Sequence, residues 1–347
     1  MIVSNICKYI KLLPYFLFKT QDLNTLIAIK IKMIKLGVKD KRILFELDKN
    51  SRQSISKIAK EVGLNKNTVN YKIKQFEKEK LILGYYPVID NSKFGYFSFR
   101  IYLKFFNTSF NDEEIIIKWL KEQERVSVIV RLETVYNLAI FVGVKDIYEF
   151  DDFWLEFKKN FRQYFWKERV DVFSKVYHFK RKYLTDEKVH SFEIVGEKKE
   201  AEYDELDLRI LRFLVKNARV PLIEIAEKLK TPERTIAFRI KQMEKKKIIQ
   251  GYRVNLSLEK MGYKYYKLNM TLNNFDKSNE FLNFSASHKN IIYLDRTLSD
   301  LDFELDVEVQ GKQELLSLIK EIKTIFSIRD IEIISFEDYY KIELLPS

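Results

Sequence analysis

Two short segments carry the side chains best suited to reading a polar surface. In the first, Asn67, Asn70 and Tyr71 share one side of a helical repeat; 167 residues on, Arg234 and Phe238 take the corresponding side. A carboxamide can bond adenine bidentately and a guanidinium can do so with guanine, both in the major groove of duplex DNA, where a helix fits. Lys66, Lys72 and Lys74 flank the first set, and Arg239 and Lys241 the second. Such cations suit phosphates, whose condensed counterions are released on contact. Arg52 and Arg219, each just ahead of a second helix, are candidates for phosphate as well, or for a structural ion pair or solvated charge, and Lys72 and Arg239, toward the sides of their helices, share those alternatives.

Catalytic chemistry finds little to work with. His178, His190 and His288 stand far apart, and none belongs to a His-x-x-x-His spacing. The chain has no Gly-rich phosphate loop, no Cys-x-x-Cys and no Gly-x-Ser-x-Gly elbow. Its one cysteine, Cys7, excludes an internal disulfide framework and a cysteine-rich metal site, which fits a reducing compartment. The expectation is therefore no catalytic residue, no metal and no cofactor.

The segments that hold the polar side chains read as follows. Asn65 is an N-cap, and Val69, Ile73 and Phe76 recur at helical spacing to bury the opposite face. Ahead of it, Ser54 caps a helix that buries Ile55, Ile58, Ala59 and Val62. Gly63 can end that helix in the left-handed conformation. Ile43, Leu44 and Leu47 mark a helix before both. Two helices on a tight turn, with the second exposed and polar, form a helix-turn-helix pattern. Ile82, Gly84 and Tyr85 then continue as extended backbone.

The whole arrangement occurs twice. Asp40 to Tyr96 aligns with Asp207 to Tyr263 without a gap, and 23 of 57 positions are identical, far beyond chance. Lys230 replaces Gly63 in the second copy, and Thr231-Pro232 is expected to start its third helix with threonine as the cap. After each copy the period changes from 3.6 to 2. Phe97, Phe99, Ile101, Leu103 and Phe105 alternate with Ser98, Arg100, Tyr102 and Lys104, the pattern of a half-buried strand. The order that follows, β-α-β-β-α-β in both copies, is a ferredoxin-like sandwich with helices on one face.

The fold class is thus α+β, two winged helix-turn-helix units each followed by a ferredoxin-like domain. The expected boundaries are an extension or misplaced start at 1–38, then a first unit at 39–90 with its sheet domain at 91–183. A charged linker occupies 184–203, and the second unit and sheet domain occupy 204–256 and 257–347.

Charge follows the same division. The formal net charge is +12, with +6 in residues 39–84, +7 in 206–251 and +5 in 1–38, which leaves −6 on everything else. A polyanion is the partner this distribution suits. The most apolar run, Ile6 to Phe18, is broken by Lys8, Lys11 and Pro14 and is too short to span a bilayer. No membrane partner is expected, and a cytoplasmic location is.

These residues resemble a known family. Asp40, Arg42-Ile43-Leu44, Asn50-x-Arg52, Ile58-Ala59, Thr68-Val69, Ile73 and Ile82-x-Gly84-Tyr85 look like the leucine-responsive and asparagine-operon regulators (Lrp/AsnC). The second copy matches with Asp207, Arg209-Ile210-Leu211, Asn217-x-Arg219, Ile225-Ala226, Thr235-Ile236, Ile240 and Ile249-x-Gly251-Tyr252. The resemblance covers residues 38–183 and 204–345. It implies a winged helix-turn-helix joined to a ferredoxin-like effector domain, double-stranded DNA as partner, and dimerisation through the sheets. Tandem units in one chain are unusual for the family.

Two departures matter. Lys80 and Lys247 stand where relatives commonly carry a helix-ending glycine, at a cost of ~1 kcal/mol each. The glycine of the effector-domain turn is missing from both Thr134-Val135-Tyr136-Asn137 and Ser299-Asp300-Leu301-Asp302. The family's amino-acid effector therefore carries over poorly, and a small-molecule ligand is left open.

Rival readings are a chromatin-like packing protein without sequence preference and an enzyme like the siroheme decarboxylases, which share the family's fold. The aromatic sheet residues Phe105, Phe106, Tyr265 and Tyr266 are expected to fill core and a seam between the two sheet domains. Pairing within the chain is favoured over a homodimer or larger oligomer.

Overall fold

The structure is a computed structural model that describes residues 33–187, 191–196 and 200–345. The readings made on residues 1–32 and on His190 lie outside the described residues.

The first unit comprises α1 (Val38–Lys49), α2 (Ile55–Val62), α3 (Lys66–Lys78) and β1 (Ile82–Ile89). Its sheet domain runs β2 (Phe97–Phe105), α4 (Phe110–Glu122), β3 (Val126–Leu132), β4 (Leu138–Val144), α5 (Ile147–Phe161) and β5 (Phe165–His178). A short strand, β6 (Glu193–Val195), follows. The second unit is α6 (Glu205–Lys216), α7 (Leu222–Leu229), α8 (Glu233–Lys245) and β7 (Ile249–Leu256). Its sheet domain runs β8 (Lys264–Leu272), α9 (Ser278–Ser287), β9 (Ile291–Leu298), β10 (Phe303–Val309), α10 (Lys312–Ile325) and β11 (Ile328–Ile342).

Local chemistry explains these boundaries. The Asn65 side chain accepts from Thr68 N–H at 2.8 Å and the Ser54 hydroxyl from Lys57 N–H at 3.2 Å, each satisfying a donor that the first helical turn leaves open. Gly63 is left-handed at φ 66°, and Lys230 takes the same conformation at φ 52°. The expected threonine cap on α8 is corrected. Pro232 occupies the cap with no side-chain bond, while the Thr231 hydroxyl donates back to the Leu229 carbonyl. The Thr231 N–H closes the preceding helix on the Ala226 carbonyl, and Pro232 stays extended at ψ 137°, so the new helix begins one residue later, at Glu233.

The two sheets close on each other. Each half has its own four strands, β5-β2-β4-β3 and β11-β8-β10-β9. The long last strands bridge the halves, β11 pairing with β3 and β5 with β9, so eight strands make a continuous ring. Helices α4 and α5 cover one half and α9 and α10 the other, each pair over its own apolar cluster. Intrachain pairing of the sheet domains is thus present.

Ring closure corrects the reading of β2 as half-buried. Arg100 and Tyr102 point into the ring and are as buried as Ile101. Alternation alone reports two unlike faces, and here the polar face is covered by the other half. Of the four aromatics singled out, Tyr265 lies in the seam, edge-on to Phe336. Phe105 packs on the first half's core, and Phe106 is exposed.

The linker is more structured than its composition suggests. Its strand β6 pairs with the end of β5, and Glu193 forms an ion pair with Lys180.

Candidate nucleic-acid interface

The two helix-turn-helix units are one body. A single apolar cluster runs from Ile43 through Val69 and Ile210 to Leu256, with Ile58, Ile225 and Ile236 among its members. The strands β1 and β7 pair antiparallel beside it, Tyr85 opposite Val254 and Pro87 opposite Tyr252. Ser51 N–H donates to the Tyr252 carbonyl at 3.0 Å and Ala218 N–H to the Tyr85 carbonyl at 2.9 Å, which is the same bond made twice across a pseudo-dyad.

Arg52 and Arg219 complete that seam. The Arg52 guanidinium donates to the Ala218 carbonyl and lies over the Tyr252 ring at 5.5 Å. Reciprocally, Arg219 donates to the Ser51 carbonyl and lies over Tyr85 at 5.2 Å. The phenols of those tyrosines donate to Glu77 at 2.6 Å and Glu244 at 2.7 Å. Of the two roles weighed for Arg52 and Arg219, the fold holds the structural one, with both guanidinium groups engaged on carbonyls of the opposite unit. Lys72 and Arg239 are engaged within their own units as well. Lys72 pairs with Asp40 at 2.5 Å, and Arg239 with Asp204 at 2.7 Å and Asp207 at 3.5 Å, tying the third helix to the first within each unit.

The remaining candidates stay on the outer faces. On α3, Lys66, Asn67, Asn70 and Lys74 are exposed, and Tyr71 has 68% of its surface free. On α8, Arg234 and Lys241 are exposed and Phe238 is 58% free. An aromatic ring held in solvent at one position in both copies has an apolar surface to offer a partner. Lys78 and Lys245 are exposed one turn beyond Lys74 and Lys241. Sequence reasoning passed over them, although their identity in both copies and their i, i+4 spacing were visible.

The faces are not equivalent. Asn67, Asn70 and Tyr71 correspond to Arg234, Ala237 and Phe238, and Lys66 corresponds to Glu233 in the first turn of α8. Acid in that turn favours the helix dipole but opposes a nearby phosphate.

Known proteins now give this geometry a family. A winged helix-turn-helix DNA-binding model matches residues 38–82 and 203–250. An HTH-type transcriptional regulator of Pyrococcus furiosus is 34% identical over 120 residues, 35% of this chain and 70% of that protein. The HTH-type transcriptional regulator LrpB of Bacillus subtilis is 30% identical over 119 residues, 34% of this chain and 80% of that protein. The chain belongs to the Lrp/AsnC family of HTH-type transcriptional regulators. A crystal structure of the siroheme decarboxylase NirDL superposes with TM-score 0.59 over 89% of this chain and 94% of that one, at 16% identity. That likeness shows a shared two-unit fold and transfers no chemistry.

Other sites are sparse. Among the described residues no group of His, Cys, Asp and Glu is placed to hold a metal, and no helix is long and apolar enough to cross a membrane. His178 stands edge-on to the Tyr293 ring with its Nδ1 sealed and unpartnered. His288 closes α9, 3.5 Å from Glu321.

Proposed function

We propose that the chain is a sequence-specific regulator that presents α3 and α8 to double-stranded DNA at once. The observation that carries this reading is the fused pair of units with unlike exposed faces at matched positions. Asn67 and Asn70 suit adenine, Arg234 suits guanine, and Tyr71 and Phe238 suit thymine methyl groups. Lys66, Lys74 and Lys241 serve phosphates. The target is an asymmetric pair of half-sites, one helical turn or a multiple apart, rather than a palindrome.

The test is fluorescence anisotropy against genomic fragments at several salt concentrations. A steep salt slope with discrimination between fragments supports the reading. A steep slope without discrimination makes the chain a packing protein, and no binding at low salt rejects DNA altogether. An enzymatic reading like that of NirDL has weaker support, since His178 is sealed inside the fold and His288 is tied to a helix end. Tetrapyrrole absorbance in the purified protein is the observation that would favour it.

A further inference from the structure

The inner faces of the two halves differ where their helix-covered faces do not. In the first half, Ala139 and Phe141 of β4 lie opposite Tyr102 and Arg100 of β2. At the same ladder positions of the second half, Glu304 and Asp306 of β10 lie opposite Asn269 and Lys267 of β8. Beside Ala139, β3 supplies Val130; beside Glu304, β9 supplies Asp295. Opposite Tyr102, β5 supplies Arg169; opposite Asn269, β11 supplies Glu332. Both halves keep a cation on their first strand, but the acids are gathered on the second.

The closed ring brings the unlike faces together. Arg100 forms ion pairs with Glu304 and, at 3.2 Å, with Asp295; Arg169 meets Glu332 at 3.2 Å. Within its own half, Arg100 has the rings of Phe141 at 4.2 Å and Phe173 at 4.3 Å. Arg169 has Asp171 at 3.2 Å and the Tyr102 ring at 4.4 Å. Arg169 and Glu332 are partly buried, while the Arg100 pair is sealed, with Arg100 3% exposed and Glu304 0%. An unpaired charge is tolerated worst in such a place.

We propose that the inner faces form a pairing code, in which the acidic face of the second half accepts the arginine face of the first and rejects a copy of itself. Two first halves face to face would bury Arg100 and Arg169 over Ala139 and Phe141, with only Asp171 to answer them. Two second halves would press Asp295, Glu304 and Asp306 against their own kind, with Lys267 to offset them. Each like pairing is opposed by repulsion rather than merely unsupported. The partner that fits each face is therefore the complementary half, and the chain closes its barrel without a second copy.

Two measurements on the full-length chain test this. In urea unfolding, R100M and E304A are each expected to lower the folding equilibrium ~100-fold or more. The double variant is expected to lose far less than the two factors multiplied. Losses that simply multiply overturn the proposal. Pairing choice is read by co-purification of differently tagged copies after joint refolding. Unmodified copies are expected to stay apart. R169E and E332R, each mismatched within itself, are expected to join each other, because the acid of one then meets the arginine of the other. No joint species from R169E with E332R, or as much from R169E alone as from the two together, overturns it.

Discussion

Tyr86 and Arg253 face each other across the β1–β7 ribbon, and they are the same position in the two copies, 167 residues apart. The pseudo-dyad runs between them, yet they do different work. Arg253 bonds Asp48 in α1 at 2.9 Å, where the second copy has Val215 in place of the acid. The Tyr86 hydroxyl meets that of Tyr293 at 3.3 Å. Burial alone pushes the Asp48 carboxyl up, but Arg253 and Arg181 hold it down at about 2. Arg253→Met is expected to cost about 3–5 kcal/mol by leaving a buried acid short of charge. Tyr86→Phe is expected to cost about 1 kcal/mol. Urea midpoints decide, and equal small losses would show the asymmetry to be idle.

Lys80 and Lys247 follow the third helix of each unit at φ 57° and 61°. A side chain is strained there, so Lys80→Gly and Lys247→Gly are each expected to raise stability by up to about 1 kcal/mol. Lys80→Val should lower it. A Tm that falls on glycine substitution would mean that the lost helix-end cation outweighs the relief.

Arg52 and Arg219 separate stability from DNA contact. Arg52→Ala is expected to lower the Tm and leave the salt slope of DNA binding unchanged, since its guanidinium serves the Ala218 carbonyl. Lys74→Ala should do the reverse, reducing the log–log salt slope by about 1 with little change in Tm. Matching salt slopes for these two variants would reject the division of roles.

His178 sets a pH dependence. Burial first, then Arg253 and Lys180, depress its imidazole to about 3. Below pH ~6.5 the unfolded chain takes up a proton that the fold refuses. This contribution is therefore whole above ~6.5 and is lost toward pH 3, at no more than about 1.4 kcal/mol per unit. Asp171 and Asp306 act oppositely. Burial raises each to about 6, so between the ordinary 3.8 and 6 the fold holds protons that the unfolded chain releases. Their ionisation costs stability as pH rises through that window. H178N is expected to gain more stability than the unmodified chain as pH falls from 7 to 5, by up to about 2 kcal/mol. Parallel curves from urea midpoints would refute this.

The repeat, the element order and the exposed faces of α3 and α8 were legible in the residues, because periodicity and caps are local. The bonds of Arg52 and Arg219 were not, since a cation before a helix looks alike whether it meets phosphate or a carbonyl across a dyad. Arg100 and Tyr102 were misread for a related reason. Alternation in β2 shows which side chains share a face, and only ring closure shows what lies over it. Gly251 illustrates the same limit from the other side: its glycine matches Gly84, yet only Gly251 has a carboxylate, that of Glu193, against it.

The body that fuses two unlike units has a consequence for change over generations. In a symmetric pair of identical chains, one altered codon strikes both reading helices at once, and an operator must change in both arms to follow. Here each codon strikes one helix. In the proposed complex Asn67 can be altered with Arg234 unchanged, so a new target is approached one arm at a time with the other arm as anchor.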